Sequence, residues 1–412
     1  MKNIFKLLAF LPLLTACDDL FEPALENNRD LEAMYKEPSY AQGILANAYI
    51  ILPYETSPTS DLATDDAVTN EISSNYLRMA TGSWTANNNP VSQWQNRFNA
   101  IQYINLFLEN VDKVEWAKDE RISTMFLDRL KGEAYGLRAL HMYYLLRAHG
   151  GKIADGTLMG VPIILKSEGP DADFNHARAT YSDCVKQIME DADKAIELLP
   201  LDYKKFADSE IPEKYKNIGV TNASDYRRVC GEEYRGLMSG RIALAVRAQT
   251  ALLAASPAFQ SGSGMTWEQA ADYAAEIIEK ANGGGGCGLD ADGLEWYTLA
   301  DKDYGTGGSP AEVIWRSSTD DNNTLETANF PPSLYGNGRV NPTQNLVDAF
   351  PMANGYPISE TSGNYDAENP YDNRDPRLAK YIVYNGSKQG PSDTEILSLI
   401  HISEPTRLRC IS

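Results

Sequence analysis

Gly132-Glu133-Ala134-Tyr135-Gly136-Leu137-Arg138-Ala139-Leu140-His141-Met142-Tyr143-Tyr144-Leu145-Leu146-Arg147-Ala148-His149 runs straight into Gly150-Gly151, and this stretch decides the fold. It closes a helical pattern that extends from about 119 to 148. The paired glycines predict the stop, since glycine leaves a helix end without steric cost. His141 shares this helix with Tyr143 and Tyr144, which predicts a satisfied structural histidine rather than a ligand.

Helical spacing continues on both sides. Upstream, Tyr40, Ile44, Leu45, Ala48, Tyr49 and Leu52 repeat at helical intervals, as do Val91, Trp94, Phe98, Ile101, Ile104, Leu108 and Val111. Downstream, Tyr181, Cys184, Ile188, Ala192, Ile196 and Leu199 make another amphipathic face. A small-residue helix is expected from about 240 to 255, ended by Ser256-Pro257. Trp267, Ala270, Ala274, Ile277 and Ile278 mark one more, closed by Asn282 and the glycines 283 to 286. Paired helices of roughly 30 to 45 residues have the length of helical repeats, although no clean tetratricopeptide signature can be read. Such pairs stack as layers and present their loops on one side. Residues 53 to 90 are polar, with Trp84 standing alone, and from 287 onward the texture is loops and short strands such as Val313-Ile314-Trp315. The expected class is all-α, helix pairs decorated by long loops and a few short strands.

The ends differ from the body. Lys2 and Lys6 precede an apolar run from Ile4 to Leu14, and Leu14-Thr15-Ala16-Cys17 follows. That is the layout of a secretory signal peptide, too short to span a bilayer, which needs roughly 20 apolar residues. Small residues before Cys17 resemble the bacterial lipobox. Residues 1–16 are then removed, Cys17 is acylated, and 17–28 form an acidic tether to a single domain at 29–397. The stretch 398–412, ending Pro405-Thr406-Arg407-Leu408-Arg409-Cys410-Ile411-Ser412, is basic and apolar and does not belong with the rest. It looks like translated adapter DNA, so the expectation is a non-native tail and a missing C-terminal part.

Composition removes several function classes. A net charge of −20 repels phosphate backbones, so nucleic acid is not an expected partner. Cys184, Cys230 and Cys287 are scattered without CxxC spacing, against a disulfide framework or zinc site. Four histidines include no HExxH, and Ser261-Gly262-Ser263-Gly264 is not a nucleophile elbow. The glycines 283 to 286 lack the Lys-Ser/Thr of a phosphate loop, and Asp290-Ala291-Asp292-Gly293 lacks the remaining ligands of an EF-hand. Asp65-Asp66 could suggest a glycosidase pair, but 57 acidic residues make adjacent acids a matter of chance. The expectation is no enzyme, no cofactor and no metal.

Four stretches, in order, resemble the SusD-like (RagB) family of nutrient-uptake lipoproteins. They are Gly132–Gly151 leading to Gly160-Val161-Pro162, Gly240-Arg241 through Ser256-Pro257-Ala258-Phe259, Asn341-Pro342-Thr343-Gln344-Asn345-Leu346-Val347-Asp348-Ala349-Phe350, and Asn369-Pro370-Tyr371-Asp372-Asn373-Arg374-Asp375-Pro376-Arg377-Leu378. The resemblance implies a core of four tetratricopeptide-like helix pairs, an α-α superhelix. It implies an outer-membrane lipoprotein of polysaccharide utilisation that caps a TonB-dependent, SusC-like transporter barrel and binds oligosaccharides without cleaving them. Some relatives capture peptides instead, and a glycoside hydrolase is the remaining alternative. The motifs themselves read as structural: Arg138 and Arg147 pairing with acids at helix seams, and Arg374, Asp375 and Arg377 fixing a rigid turn. Ligand binding is expected elsewhere, where exposed aromatic rings stack on sugar faces and short polar side chains bond hydroxyls. Trp84 in its polar loop is the lead candidate. Family glycan sites draw on this loop region, and the candidate matches are Asp66, Arg78, Trp84 and Asn87, with Asn75 and Tyr76 nearby. Trp296, Tyr297, Tyr304 and Tyr335 are the expected contributors from the later loops.

Overall fold

The computed structural model describes residues 33–397 apart from 54–59, 86, 283–312, 317–321 and 390–391. Cys17, Trp296, Tyr297, Tyr304 and the Asp290–Gly293 stretch lie outside the described residues. Contacts divide the chain into two compact units, one drawn from Met1–Leu52 and Trp94–Arg316, the other from Pro53–Gln93 and Ser317–Ser412.

The first unit is a row of helices: α1 (Pro38–Ile50), α2 (Trp94–Asn110), α3 (Glu120–His149), α4 (Tyr181–Leu198), α5 (Ala223–Cys230), α6 (Gly240–Ala255) and α7 (Trp267–Asn282). α1 packs on α2, α2 on α3, α3 on α4, α4 on α6 and α6 on α7. Contact with the neighbouring layer is how stacked repeats bury a continuous core. Starts are set by side-chain caps: Asp119, Thr180, Asn222 and Ser239 each accept an N–H of the first turn of α3, α4, α5 and α6. α5 was not expected from sequence. No helix among the described residues is long and apolar enough to cross a membrane.

α3 ends where expected, for a different reason. Gly150 has φ −74°, an ordinary extended geometry, so positive φ is not what glycine supplies. A Cβ there would stand 2.6 Å from the Leu146 carbonyl oxygen and 2.9 Å from the Tyr181 ring. Gly132 and Gly136 serve the same purpose further up the helix. A Cβ at Gly132 would meet Leu199 Cγ at 2.6 Å, and one at Gly136 would meet Met238 Cγ at 2.6 Å.

Of the two arginines that the motif reading pairs with acids, Arg138 is so paired and Arg147 is not. Arg138 forks onto Asp191 at 2.7 and 2.8 Å and donates to Asn105 Oδ1 at 3.0 Å, all three residues being buried. Arg147 pairs with no acid among the described residues. It stands on the exposed side of α3 with its guanidinium 5.0 Å from the Tyr144 ring centroid, because nine residues, or two and a half turns, past Arg138 it projects from the opposite face of the helix. His141 is fully buried and holds Ala48 O at 3.1 Å through Nε2 and Arg97 Nη1 at 3.2 Å through Nδ1. A carbonyl accepts and a guanidinium donates, so the ring is neutral with its proton on Nε2. Burial first, and Arg97 second, pull its pKa from 6.5 to about 3. Cys184 and Cys230 are buried free thiols, and Cys184 donates to Val161 O at 3.3 Å. Val313-Ile314-Trp315 forms no strand; Trp315 is half-buried, its N–H on Gly236 O at 2.7 Å.

The second unit joins two distant pieces of chain. β1 (Ala67–Thr69) pairs antiparallel with β2 (Val340–Pro342), Val68 opposite Asn341. A small core of Val347, Leu378 and Ile382 lies under α8 (Gln344–Ala349) and α9 (Pro376–Tyr381). Arg374 donates to the carbonyls of Pro370, Val347 and Phe350 at 2.8, 2.6 and 2.7 Å. Asp375 caps α9 through the Arg377 N–H and holds the Arg377 guanidinium at 2.7 Å. This is the rigid turn expected of that motif.

Candidate functional site

The described candidate residues all belong to the second unit. Its frame is a set of rivets between the 65–70 and 337–345 segments. Thr343 N–H donates to Asp66 O at 2.8 Å, and Thr343 Oγ1 bonds Asp65 O. Asn345 reaches the Asp65 carboxylate at 3.3 Å. At the far end of β1, the Asn70 amide donates to Asn337 O and Gly338 O at 3.1 and 3.2 Å, and Arg339 donates back to Asn70 Oδ1 at 3.2 Å. These asparagines are engaged within the protein, Asn70 by two carbonyls and Arg339, and Asn345 by the Asp65 carboxylate, so they build the surface rather than read a ligand.

Tyr335 sits two residues before Asn337 and is 96% exposed. Pro331 and Pro332 start a single 3-10 turn, after which Tyr335 N–H bonds Pro332 O at 3.0 Å and Gly336 N–H bonds Pro331 O at 3.2 Å. This pattern needs a left-handed residue at its exit, normally glycine. Here it is Tyr335, at φ +65°. A bulky side chain in that region is a backbone outlier, held by its surroundings. Gly336 cannot be exchanged with it, because a Cβ on Gly336 would overlap the Phe330 carbonyl.

The Trp84 side is built from local turns. Ser74 Oγ caps the short helix Asn75–Ala80, which packs on the turn Ser60–Ala63 beside β1. The helix closes with Gly82 at φ +67°, Gly82 N–H on Met79 O and Ser83 N–H on Arg78 O, a Schellman exit. Thr85 and Asn88 then exchange backbone hydrogen bonds at 3.4 and 3.0 Å. Trp84 is fixed between these two turns and remains 48% exposed.

Chemically, the surface offers rings and unspent polar groups. Asn75, Arg78 and Asn87 are exposed, and among the described residues their side chains make no hydrogen bond or ion pair. Asp66 is half-buried with a carboxylate equally unengaged, while Tyr76 is half-buried and engaged within the protein. Two apolar side chains the sequence reading passed over are also exposed: Ile72, at 89% two residues past Asn70, and the ring of Tyr356, at 50%. Their signal was the one that marked Trp84, an apolar residue isolated in a polar stretch. No group of three or more metal-ligating side chains occurs among the described residues.

Known proteins resemble this chain in two stretches of sequence and in fold. The family described as starch-binding, associating with the outer membrane, matches residues 25–214, and the SusD family matches 311–399. No curated protein sequence matches the chain. Among solved structures, a SusD-like protein from Bacteroides fragilis superposes with a TM-score of 0.62 at 19% identity, covering 89% of this chain and 64% of its own. A SusD-like carbohydrate binding protein from the same species gives 0.58 at 20% identity, covering 88% and 62%. A SusD superfamily protein from Bacteroides vulgatus gives 0.57 at 16% identity, covering 92% and 68%. At these identities the likeness is one of fold. The chain spans a little under two thirds of the length of the first two.

Proposed function

The chain belongs to the SusD family, and from that premise we propose that it captures oligosaccharides at the cell surface without cleaving them. Family membership supports a glycan-binding role, and one solved relative carries carbohydrate binding in its name. The observation that carries the reading is Tyr335, almost wholly exposed on a left-handed turn, in the same unit as exposed Trp84. Strain of that kind persists where presentation of a side chain has a use.

In this reading Trp84 and Tyr335 stack on the apolar faces of sugar rings. Asn75, Arg78 and Asn87 pair with hydroxyls, Asp66 accepts from them, and Tyr76 supports the Trp84 loop. Trp296, Tyr297 and Tyr304 add further rings from the later loop. No bond is broken, so neither a nucleophile nor a cofactor is required. Cys17 carries the lipid that holds the chain at the outer membrane, and a TonB-dependent, SusC-like barrel receives the ligand.

The test is calorimetric titration of the full chain in detergent against plant, host and microbial glycans and a set of peptides. A glycan signal that falls at least about tenfold, or about 1.4 kcal/mol, in Trp84→Ala supports stacking on this loop. A peptide signal in its place, or a glycan signal indifferent to both Trp84→Ala and Tyr335→Ala, overturns it.

A further inference from the structure

Among the described residues the helix row ends in an apolar groove. α7 packs on α6, and between the two opens a space of about 280 Å³. Ala248, Ala270, Ala271 and Ala274 line it together with Leu252 and Trp267. Leu252 is 57% exposed, Trp267 48%, and Ile278, further along α7, 63%. Trp267, Ala271, Ala274 and Ile278 are all exposed and fall at intervals of four, three and four residues, which puts them on one stripe of the helix. The terminal unit of a helical stack normally shows solvent a polar face. An apolar stripe on the last helix has instead the form of a contact face.

The charges beside the stripe select its occupant. Glu268, Asp272 and Glu279 each follow a stripe residue by one position, so they form an acidic row along one edge of it. Their side chains make no hydrogen bond or ion pair among the described residues. Around the helix from them the acid is spent, since Glu276 holds Arg247 and, at 2.5 Å, Lys280. A second copy docked antiparallel would set the acidic row against its own image, and a chain of net charge −20 repels itself. An anionic lipid surface meets the same repulsion. The alanines offer a sugar no side-chain hydrogen bond, yet small side chains at a contact let two helix axes come close.

We propose that the groove between α6 and α7 binds an amphipathic helix of a partner protein. Its apolar face sits among Leu252, Trp267 and Ile278, and a row of lysine or arginine beside that face pairs with Glu268, Asp272 and Glu279. This is helix-in-groove recognition, with anchors spaced by three and four residues. The proposal is independent of the glycan reading, whose described residues lie in the other unit.

The probe is a fluorescein-labelled peptide, acetyl-LKRALKKLARKLKRAL-amide, followed by anisotropy against the full chain. The chain is produced without lipid and kept free of detergent, so that no micelle competes for the peptide. Saturable binding is expected, with displacement by unlabelled peptide. A counterpart with glutamate at every lysine and arginine, and a scramble that scatters the leucines, should each bind at least about tenfold more weakly. Ala271→Trp fills the groove without altering charge and should weaken binding by at least about tenfold. Glu268→Lys/Asp272→Lys/Glu279→Lys should narrow the gap between the lysine and glutamate peptides by a similar factor. All four substituted positions are exposed, and circular dichroism checks that both variants keep the helicity of the parent. Absence of saturable binding overturns the proposal. Equal affinity for the scramble, the mark of general attraction to an acidic chain, overturns it as well, and so does an affinity that Ala271→Trp leaves unchanged. Self-association that Ala271→Trp abolishes, without binding of the probe, assigns the face to a second copy and overturns it too.

Discussion

His141 is neutral because its surroundings cannot accept a charge: its folded pKa of about 3 lies below the 6.5 of an unperturbed imidazole. Below 6.5 the unfolded chain takes up a proton that the folded chain refuses, so stability is fully present above pH 6.5 and falls as pH drops toward 3. Each unit of that gap is worth about 1.4 kcal/mol. We expect urea midpoints to fall between pH 7 and pH 5, and the pH slope to flatten in His141→Gln, measured against the parent in the same buffers. An unchanged slope would place the sensitivity on other groups. His141 was legible from its neighbours on a crowded helix. Arg147 was misread because a motif shows residue types, while the angular position of each residue around the helix decides which side it faces.

Elements carry the balance between strain and close packing. Tyr335 occupies a position built for glycine, and a left-handed non-glycine residue costs roughly 1–2 kcal/mol. Tyr335→Gly is therefore expected to raise unfolding stability by about 1 kcal/mol while lowering glycan affinity, a split readable from urea denaturation beside calorimetry. Loss of both together would mean that the ring packs against the fold. Gly132 poses the opposite case: it is mid-helix, where glycine is unfavourable, yet Leu199 leaves no room for a Cβ. Gly132→Val is expected to destabilise by roughly 1–3 kcal/mol through overpacking between α3 and α4, checked by the shift in thermal midpoint. The long helices could be read in sequence because a 3.6-residue apolar period repeats several times in each. Eight-residue α5 gives too few repeats to stand out. β1 and β2 give three residues each, and their pairing depends on partners far apart in the chain. Trp84 betrayed itself by isolation among polar residues, whereas the turn that exposes Tyr335 is a matter of backbone hydrogen bonds that composition does not encode.

For the molecule as a whole, the decisive quantity is its net charge of −20. A neutral glycan feels little of that field, and stacking and hydroxyl hydrogen bonds are not screened by salt. Affinity for a neutral glycan is accordingly expected to stay within about twofold between roughly 50 and 500 mM sodium chloride. An acidic glycan should bind more tightly as salt rises, since screening relieves its repulsion. Strong weakening with salt would instead point to charge attraction and to a different ligand class. The antiparallel pairing of Val68 with Asn341 has one further consequence, which concerns the order of events during synthesis. The helices of the first unit are complete in the nascent chain before the β2 partner leaves the ribosome, so β1 waits as an unpaired edge meanwhile. A ribosome that stalls before β2 releases a helical scaffold with a sticky strand, and quality control of this protein then turns on the interval between those two moments.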